Sequence, residues 1–394
     1  MILDDADKQM LAGKFGNAAK KSMEILVALG KIYWAERLAP VTSVQVAGVS
    51  YDNLGDAGLE YLQELAKDGK VRVLTTLNPA GMDLENYRAL GIGEEFAQKQ
   101  AKVIGAFSKM GIIPSCTCTP YFIGNKPKGG EHIAWSESSA VCYANSVLGA
   151  RTNREGGPSA LAAAICGKTP LYGMHLEENR QAKVMVKVEG EISGTEMFGA
   201  LGKAVGERIG NKIPLITGIK SASVEELKSL CASIATYGGT SMFHMHGVTP
   251  NKTEVPKQEI AIGKKDIDAA LSSMNDEGQP DLVALGCPHL SMQEVEKIAL
   301  MLKGKKVKIE TWLCISRQVK EEAQKRGLAQ EIEKSGAKFA ADTCMVVAPI
   351  KGRFECVASD SAKSCYYCRA KNKFRTKVGS IEKCIGCAIS GKWD

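Results

Sequence analysis

Short apolar runs of strand character alternate with longer segments of helical periodicity along most of this chain, and no other feature narrows the accessible folds so far. The spacing predicts helices over 17–29, 57–68, 96–110, 224–236, 292–303 and 318–334. It predicts strands over 41–49, 71–77, 213–216, 242–248 and 307–315. Strands separated by helices are the pattern of parallel sheets, whose crossovers cover both faces. The fold class is therefore α/β. At 394 residues there is room for two or three domains. The expected divisions are an N-terminal α/β region over 1–215, a second over 216–350, and a basic, cysteine-rich tail over 351–394 packing on the site. Polar stretches near 249–264 and 272–280 read as surface loops or insertions.

In such folds ligands gather outside the carboxyl ends of the strands. Three widely separated cysteines fall at strand-like ends: Cys118 after residues 111–114, Cys287 after 282–285 and Cys344 after 339–341. Converging there, three thiolates can hold an iron–sulfur cluster and leave one iron open to substrate. Burial as a small hydrophobe is the competing reading of any free cysteine. Cys116, Cys142, Cys166, Cys231 and Cys314 are read that way. Thirteen cysteines is an odd number, and the start Met1-Ile2-Leu3-Asp4-Asp5 is acidic where a signal peptide is basic. Both favour reduced thiols and metal ligands over a disulfide framework, and a cytoplasmic setting.

Of the net charge of +7, residues 351–394 hold ten Lys/Arg against four Asp/Glu, so the rest of the chain is nearly neutral. A globally basic nucleic-acid binder is excluded; a basic tail is not. Within that tail Cys365-x2-Cys368 and Cys384-x2-Cys387 have the spacing of a four-thiolate zinc site, with a basic loop between them. A zinc-stapled tail contacting RNA is thus a reading from another class.

Several short motifs carry two readings each. Gly48-Val49-Ser50 and Asn78-Pro79 close strands, as ordinary turns or as an anion cradle. Ser136 is a candidate N-cap of a helix running to about Leu148, with Glu137 and Ser138 in its first turn. Arg151 and Arg154 flank a turn, as a bidentate anion clamp or as ion pairs supporting the loop. Lys363 is a cation for substrate phosphate or carboxylate, or a solvated lysine. His244 and His246 share a strand face, as zinc ligands or as core histidines. His289, beside Cys287, can orient a cluster or donate a proton. His175 has little beyond its motif.

Longer motifs carry a resemblance. Thr-Cys-Thr-Pro-Tyr (117–121), Ala-Trp-Ser-Glu-Ser-Ser-Ala-Val (134–141) and Ala-Asn-Ser-Val-Leu-Gly-Ala-Arg-Thr-Asn-Arg (144–154) resemble the aconitase X family. Gly-Met-His-Leu-Glu-Glu-Asn-Arg (173–180), His-Gly-Val-Thr-Pro (246–250) and Gly-Cys-Pro-His (286–289) extend the match over roughly 1–390. The resemblance implies aconitase-like domains with parallel sheets around a central 4Fe-4S cluster on Cys118, Cys287 and Cys344. It places Gly48, Val49, Ser50, Asn78, Pro79, Glu137 and Ser138 against the substrate, with Glu137 able to handle a hydroxyl or water proton. A swivelling domain is expected to be absent here and supplied by a separate small subunit, as in the archaeal-type members, together with the catalytic serine. The activity implied is the dehydration of (R)-5-phosphomevalonate to trans-anhydromevalonate 5-phosphate in a modified mevalonate pathway. The dehydration of cis-3-hydroxyproline, used by other branches, is the alternative.

Overall fold

The computed structural model describes residues 1–394 and contains three parallel sheets, each built on the same ordering rule. The first runs Leu74–Leu77, Ser43–Val46, Ala134–Trp135. The second runs His244–Met245, Pro214–Thr217, Val184–Val188, Glu259–Ile262. The third runs Lys338–Ala341, Glu310–Ile315, Leu282–Leu285, Cys356–Ser359, Arg375–Val378. In each, the first strand in sequence lies inside, the next stack outward on one side, and the chain then returns to the other side. Every sheet therefore has a topological switch point, where the loops on either side of the crossing part and open a crevice.

Strand alternation divides the third sheet's apolar residues into two cores. Val283, Leu285, Leu313, Ile315, Phe339 and Ala341 pack on one face. Leu282, Ala284, Trp312, Cys314 and Ala340 pack on the other. Most predicted helices form, including Asn17–Ile32, Glu94–Lys109, Val224–Tyr237 and Met292–Leu302. The segment predicted as one helix over 318–334 is two, Arg317–Lys325 and Leu328–Ser335, because Gly327 takes φ +73° between them.

The expected divisions do not follow the sheets. A boundary at 215 falls inside the strand Pro214–Thr217, because the strand Val184–Val188 that begins this sheet went unrecognised. Residues 351–394 are no appended tail, since Cys356–Ser359 and Arg375–Val378 complete the third sheet. Half of its ten basic residues are paired: Arg369 with Asp276, Arg375 with Glu355, Lys371 with Asp52, Arg353 with Glu310 and Lys363 with Glu137. No helix is long and apolar enough to cross a membrane.

Candidate active site

Loops from the carboxyl ends of the first and third sheets meet. On one side, Gly48-Val49-Ser50 follows Ser43–Val46, Asn78-Pro79 follows Leu74–Leu77, and Glu137 follows Ala134–Trp135. On the other, Cys287 follows Leu282–Leu285, Cys344 follows Lys338–Ala341, and Lys363 follows Cys356–Ser359. Glu137 and Lys363 stand at the switch points of their sheets, beside strands that flank the crossing, and they pair across the junction.

The pair is buried, with side chains only 12% and 10% exposed. Glu137, not Ser136, is the N-cap of the helix Ser138–Ser146, accepting from the Ser139 backbone N–H at 3.4 Å and its hydroxyl at 3.1 Å. Its other oxygen accepts from Asn78 Nδ2 at 2.8 Å. Burial opposes ionisation, but Lys363 and these donors outweigh it and hold the carboxyl at about 2. Burial likewise disfavours the Lys363 ammonium, yet Glu137 and the nearby thiols raise its pKa. Lys363 also donates to Ser138 Oγ at 3.3 Å. Its short helix Ala362–Tyr367 is capped by Ser361, whose hydroxyl donates to the Cys287 carbonyl and so ties the lysine loop to a cysteine loop. A carboxylate held this low is a poor proton acceptor near neutral pH.

Cys118, Cys287 and Cys344 are all buried. Burial pushes the Cys118 thiol up to about 12 and raises the other two, and repulsion adds to it, from Glu137 and Cys344 at Cys118, from Cys344 and Cys118 at Cys287, and from Glu137 at Cys344. Lys363 works against this for all three. Backbone N–H groups oppose it as well, from His289 to Cys118 Sγ at 3.2 Å and from Val346 and Val347 to Cys344. Three buried thiols, two of them with amide donors on their sulfurs, and the Lys363 ammonium nearby suit a group that brings its own positive charge. No three His, Cys, Asp or Glu side chains stand close enough to chelate a single metal ion. A cluster, in which each thiolate meets a different iron, sets its sulfurs wider apart. Gly286 is required beside Cys287: it has φ +100°, and a Cβ there would sit 2.2 Å from the Cys314 carbonyl oxygen. The Cys118 loop follows no strand, only a single bridge between Ile113 and Thr76. It is placed by hydrogen bonds of residue 117 to Leu77 and Gln45.

The remaining predicted site residues separate. Ser50 Oγ donates to the Val347 carbonyl at 3.3 Å, joining the 48–50 loop to the Cys344 loop. Asn78 Oδ1 is buried without a hydrogen-bond partner. Arg154 bridges to Trp135, two residues before Glu137, and its exposed guanidinium has no ionic partner. Arg151 instead pairs with Glu177 and donates to the His175 carbonyl at 3.1 Å, so it supports the loop. The zinc reading of Cys365, Cys368, Cys384 and Cys387 is corrected. Cys368 lies in the core on one face of the third sheet, Cys384 and Cys387 in the core on the opposite face, and Cys365 in a third cluster. The His-x-His pair does not gather either: His244 donates into the core at the Arg180 carbonyl, 2.7 Å away, while His246 is exposed. A cleft of about 400 Å³ lies elsewhere, lined by Glu196, Glu225, Glu226, Glu294 and Glu382, and its charge opposes an anionic ligand.

Gln100 was missed by sequence reasoning. Fully buried, it accepts from the Tyr51 and Gly81 amides and donates to the Val49 carbonyl, fixing the 48–51 and 78–81 loops together. Its place on the apolar stripe with Val103 and Phe107 was the available signal.

Models described as the aconitase X first, second and third domains match residues 1–178, 182–272 and 280–390. The chain belongs to the aconitase X family. It is 49% identical, over 93% of its length and 94% of the relative's, to a Methanothermobacter thermautotrophicus protein named phosphomevalonate dehydratase large subunit. It is 32% identical to a Hypocrea jecorina protein named cis-3-hydroxy-L-proline dehydratase, over 100% of its own length but 69% of that protein's. A solved Thermococcus kodakaraensis aconitase X, described as the holo-form, matches with a TM-score of 0.92 at 45% identity, covering 98% of this chain and 100% of that one.

Proposed function

We propose that this chain is the large subunit of a hydro-lyase that dehydrates (R)-5-phosphomevalonate to trans-anhydromevalonate 5-phosphate, working with a small swivelling-domain subunit that supplies a serine base. The observation that carries the reading is the meeting of Cys118, Cys287 and Cys344 with the Glu137–Lys363 pair, in a chain so similar to large subunits of that name. The three thiolates would hold a 4Fe-4S cluster, whose open iron supplies Lewis acidity toward a carboxylate and the hydroxyl β to it.

The other steps belong to the chain's own groups. Lys363, the ammonium paired with Glu137, turns to an anionic group of the substrate. The Glu137 carboxyl, relieved of its counter-ion, rises in pKa, so that in its protonated form it donates to the departing hydroxyl and then accepts a hydrogen bond from the water formed. Asn78 and Ser138 hold that oxygen and the displaced carboxylate, and Ser50 and the 48–50 amides line the pocket wall. Arg154, unpaired and exposed near the Glu137 end, meets the phosphate as the ligand enters. Pro79 stiffens the turn carrying Asn78.

The test is an anaerobic assay of the iron-loaded chain with its small partner, offering phosphomevalonate and cis-3-hydroxy-L-proline side by side. Turnover of the first alone supports the reading. Turnover of the second alone moves the chain to the hydroxyproline branch, and turnover of neither overturns both.

A further inference from the structure

One imidazole ties together all three loops that carry the cluster cysteines. His289 lies two residues beyond Cys287 and is fully buried. Its Nε2 is 3.0 Å from the carbonyl oxygen of Thr343, the residue before Cys344. Its Nδ1 is 3.0 Å from the hydroxyl of Thr117, the residue before Cys118, and its backbone N–H donates to Cys118 Sγ at 3.2 Å. A carbonyl only accepts, so Nε2 carries a proton and donates it. In the neutral ring Nδ1 then accepts from the Thr117 hydroxyl, whose own lone pairs take the Thr119 amide at 3.2 Å and hydroxyl at 3.1 Å. The peptide of His289 is anchored in turn, since the buried Lys228 ammonium donates to its carbonyl at 3.1 Å while pairing with Glu294.

We infer that His289 is a positioning residue that presets the spacing of Cys118, Cys287 and Cys344 for the cluster, and that it is not a proton donor to substrate. The inference rests on the cluster reading above. Both ring nitrogens are engaged inside the protein, so neither faces a ligand. Thr117 lies in a loop bonded to the first sheet at Leu77 and Gln45, Thr343 in a loop of the third sheet, and no other side chain bonds to both. Without the ring, the Cys118 and Cys344 loops lose their shared tether, and the cage holding the irons loosens although every ligand remains. Partners of this kind are worth roughly ten- to a hundred-fold in metal retention.

The experiment uses the anaerobically prepared chain with its small partner, as wild type, His289→Ala, His289→Gln and Cys344→Ala. Circular dichroism reports folding. The readouts are iron per chain, the spectrum of the reduced cluster by electron paramagnetic resonance, and the rate of iron loss to a chelator. The expected result is a folded His289→Ala protein that loses iron at least tenfold faster, with an altered spectrum. His289→Gln, whose amide can still donate to the Thr343 carbonyl, should recover most of the retention. His289→Ala matching wild type in rate and spectrum, while Cys344→Ala holds no cluster, overturns the inference and spares the cluster reading. Cys344→Ala retaining the wild-type cluster overturns the cluster reading itself. If His289→Ala does not fold, the comparison moves to His289→Gln and His289→Asn, each keeping one tether. Intermediate iron-loss rates support the inference, and wild-type rates in both refute it.

Discussion

Replacing Lys363 with methionine removes the ammonium and leaves its apolar stem in place, which isolates the electrostatic part of the Glu137–Lys363 pair. Against an ordinary value of 4.5, a Glu137 carboxyl at about 2 corresponds to about 3 kcal/mol of net preference for the ionised form. That preference already includes the opposing cost of burial. With the ammonium gone, Asn78 and the Ser139 donors remain, and burial pushes the carboxyl upward. Lys363→Met should therefore cost about 3–5 kcal/mol at pH 7, the range for a buried pair stripped of one partner. The sign with pH follows from the depressed carboxyl. Its stabilisation is complete above about 4.5 and fades as pH falls toward 2, so the two proteins' stabilities should converge over that window. Adding Glu137→Gln removes the stranded charge, so the double variant should regain much of the lost stability and none of the activity. Equilibrium urea unfolding of the three proteins between pH 7 and pH 3 measures this. A single variant within about 0.5 kcal/mol of wild type at pH 7, or a double variant no better than the single, refutes the reasoning.

Other substitutions separate binding from support. Arg154→Gln removes an exposed, unpaired guanidinium, so the KM for a phosphorylated substrate should rise at least tenfold with melting unchanged. Arg151→Gln breaks the pair with Glu177 and should cost at most about 1 kcal/mol with little change in KM; equal KM effects at both positions would contradict the division of roles. Gly48→Ala places a side chain at φ +79° with nothing within 4 Å of the new Cβ, so it should cost about 1–2 kcal/mol from backbone strain alone, read by urea unfolding. Cys365→Ser and Cys384→Ser should leave metal content unchanged by elemental analysis, because their sulfurs lie in separate cores.

The alternation of strand and helix made the fold class legible, and it placed Cys287, Cys344, Asn78 and Ser50 at strand ends without reference to any contact. What it hid follows from local strength. The strand Ala134–Trp135 has two residues, and the Cys118 loop adjoins a single bridge, so neither leaves a periodic signature. Glu137 and Ser138 were reachable only through family motifs. The second sheet's start at Val184 was missed because Lys187 interrupts the apolar run. In the zinc reading, spacing in sequence stood in for proximity: the two cysteine pairs are fifteen residues apart, and the third sheet lies between Cys368 and the Cys384–Cys387 pair. Gln100 and Lys228 show the opposite lesson. A polar residue on an apolar helical stripe was visible in both cases, and its partners lay on loops that only the fold assembles.

The central claim is that Cys118, Cys287 and Cys344 hold a cluster with one iron free to meet substrate. Mössbauer spectroscopy of the assembled protein, loaded anaerobically with iron-57, addresses it directly. One iron site in four should shift when phosphomevalonate is added, and the whole cluster signal should be absent from the triple alanine variant. A spectrum indifferent to substrate, or a cluster that survives loss of all three thiols, would contradict the account.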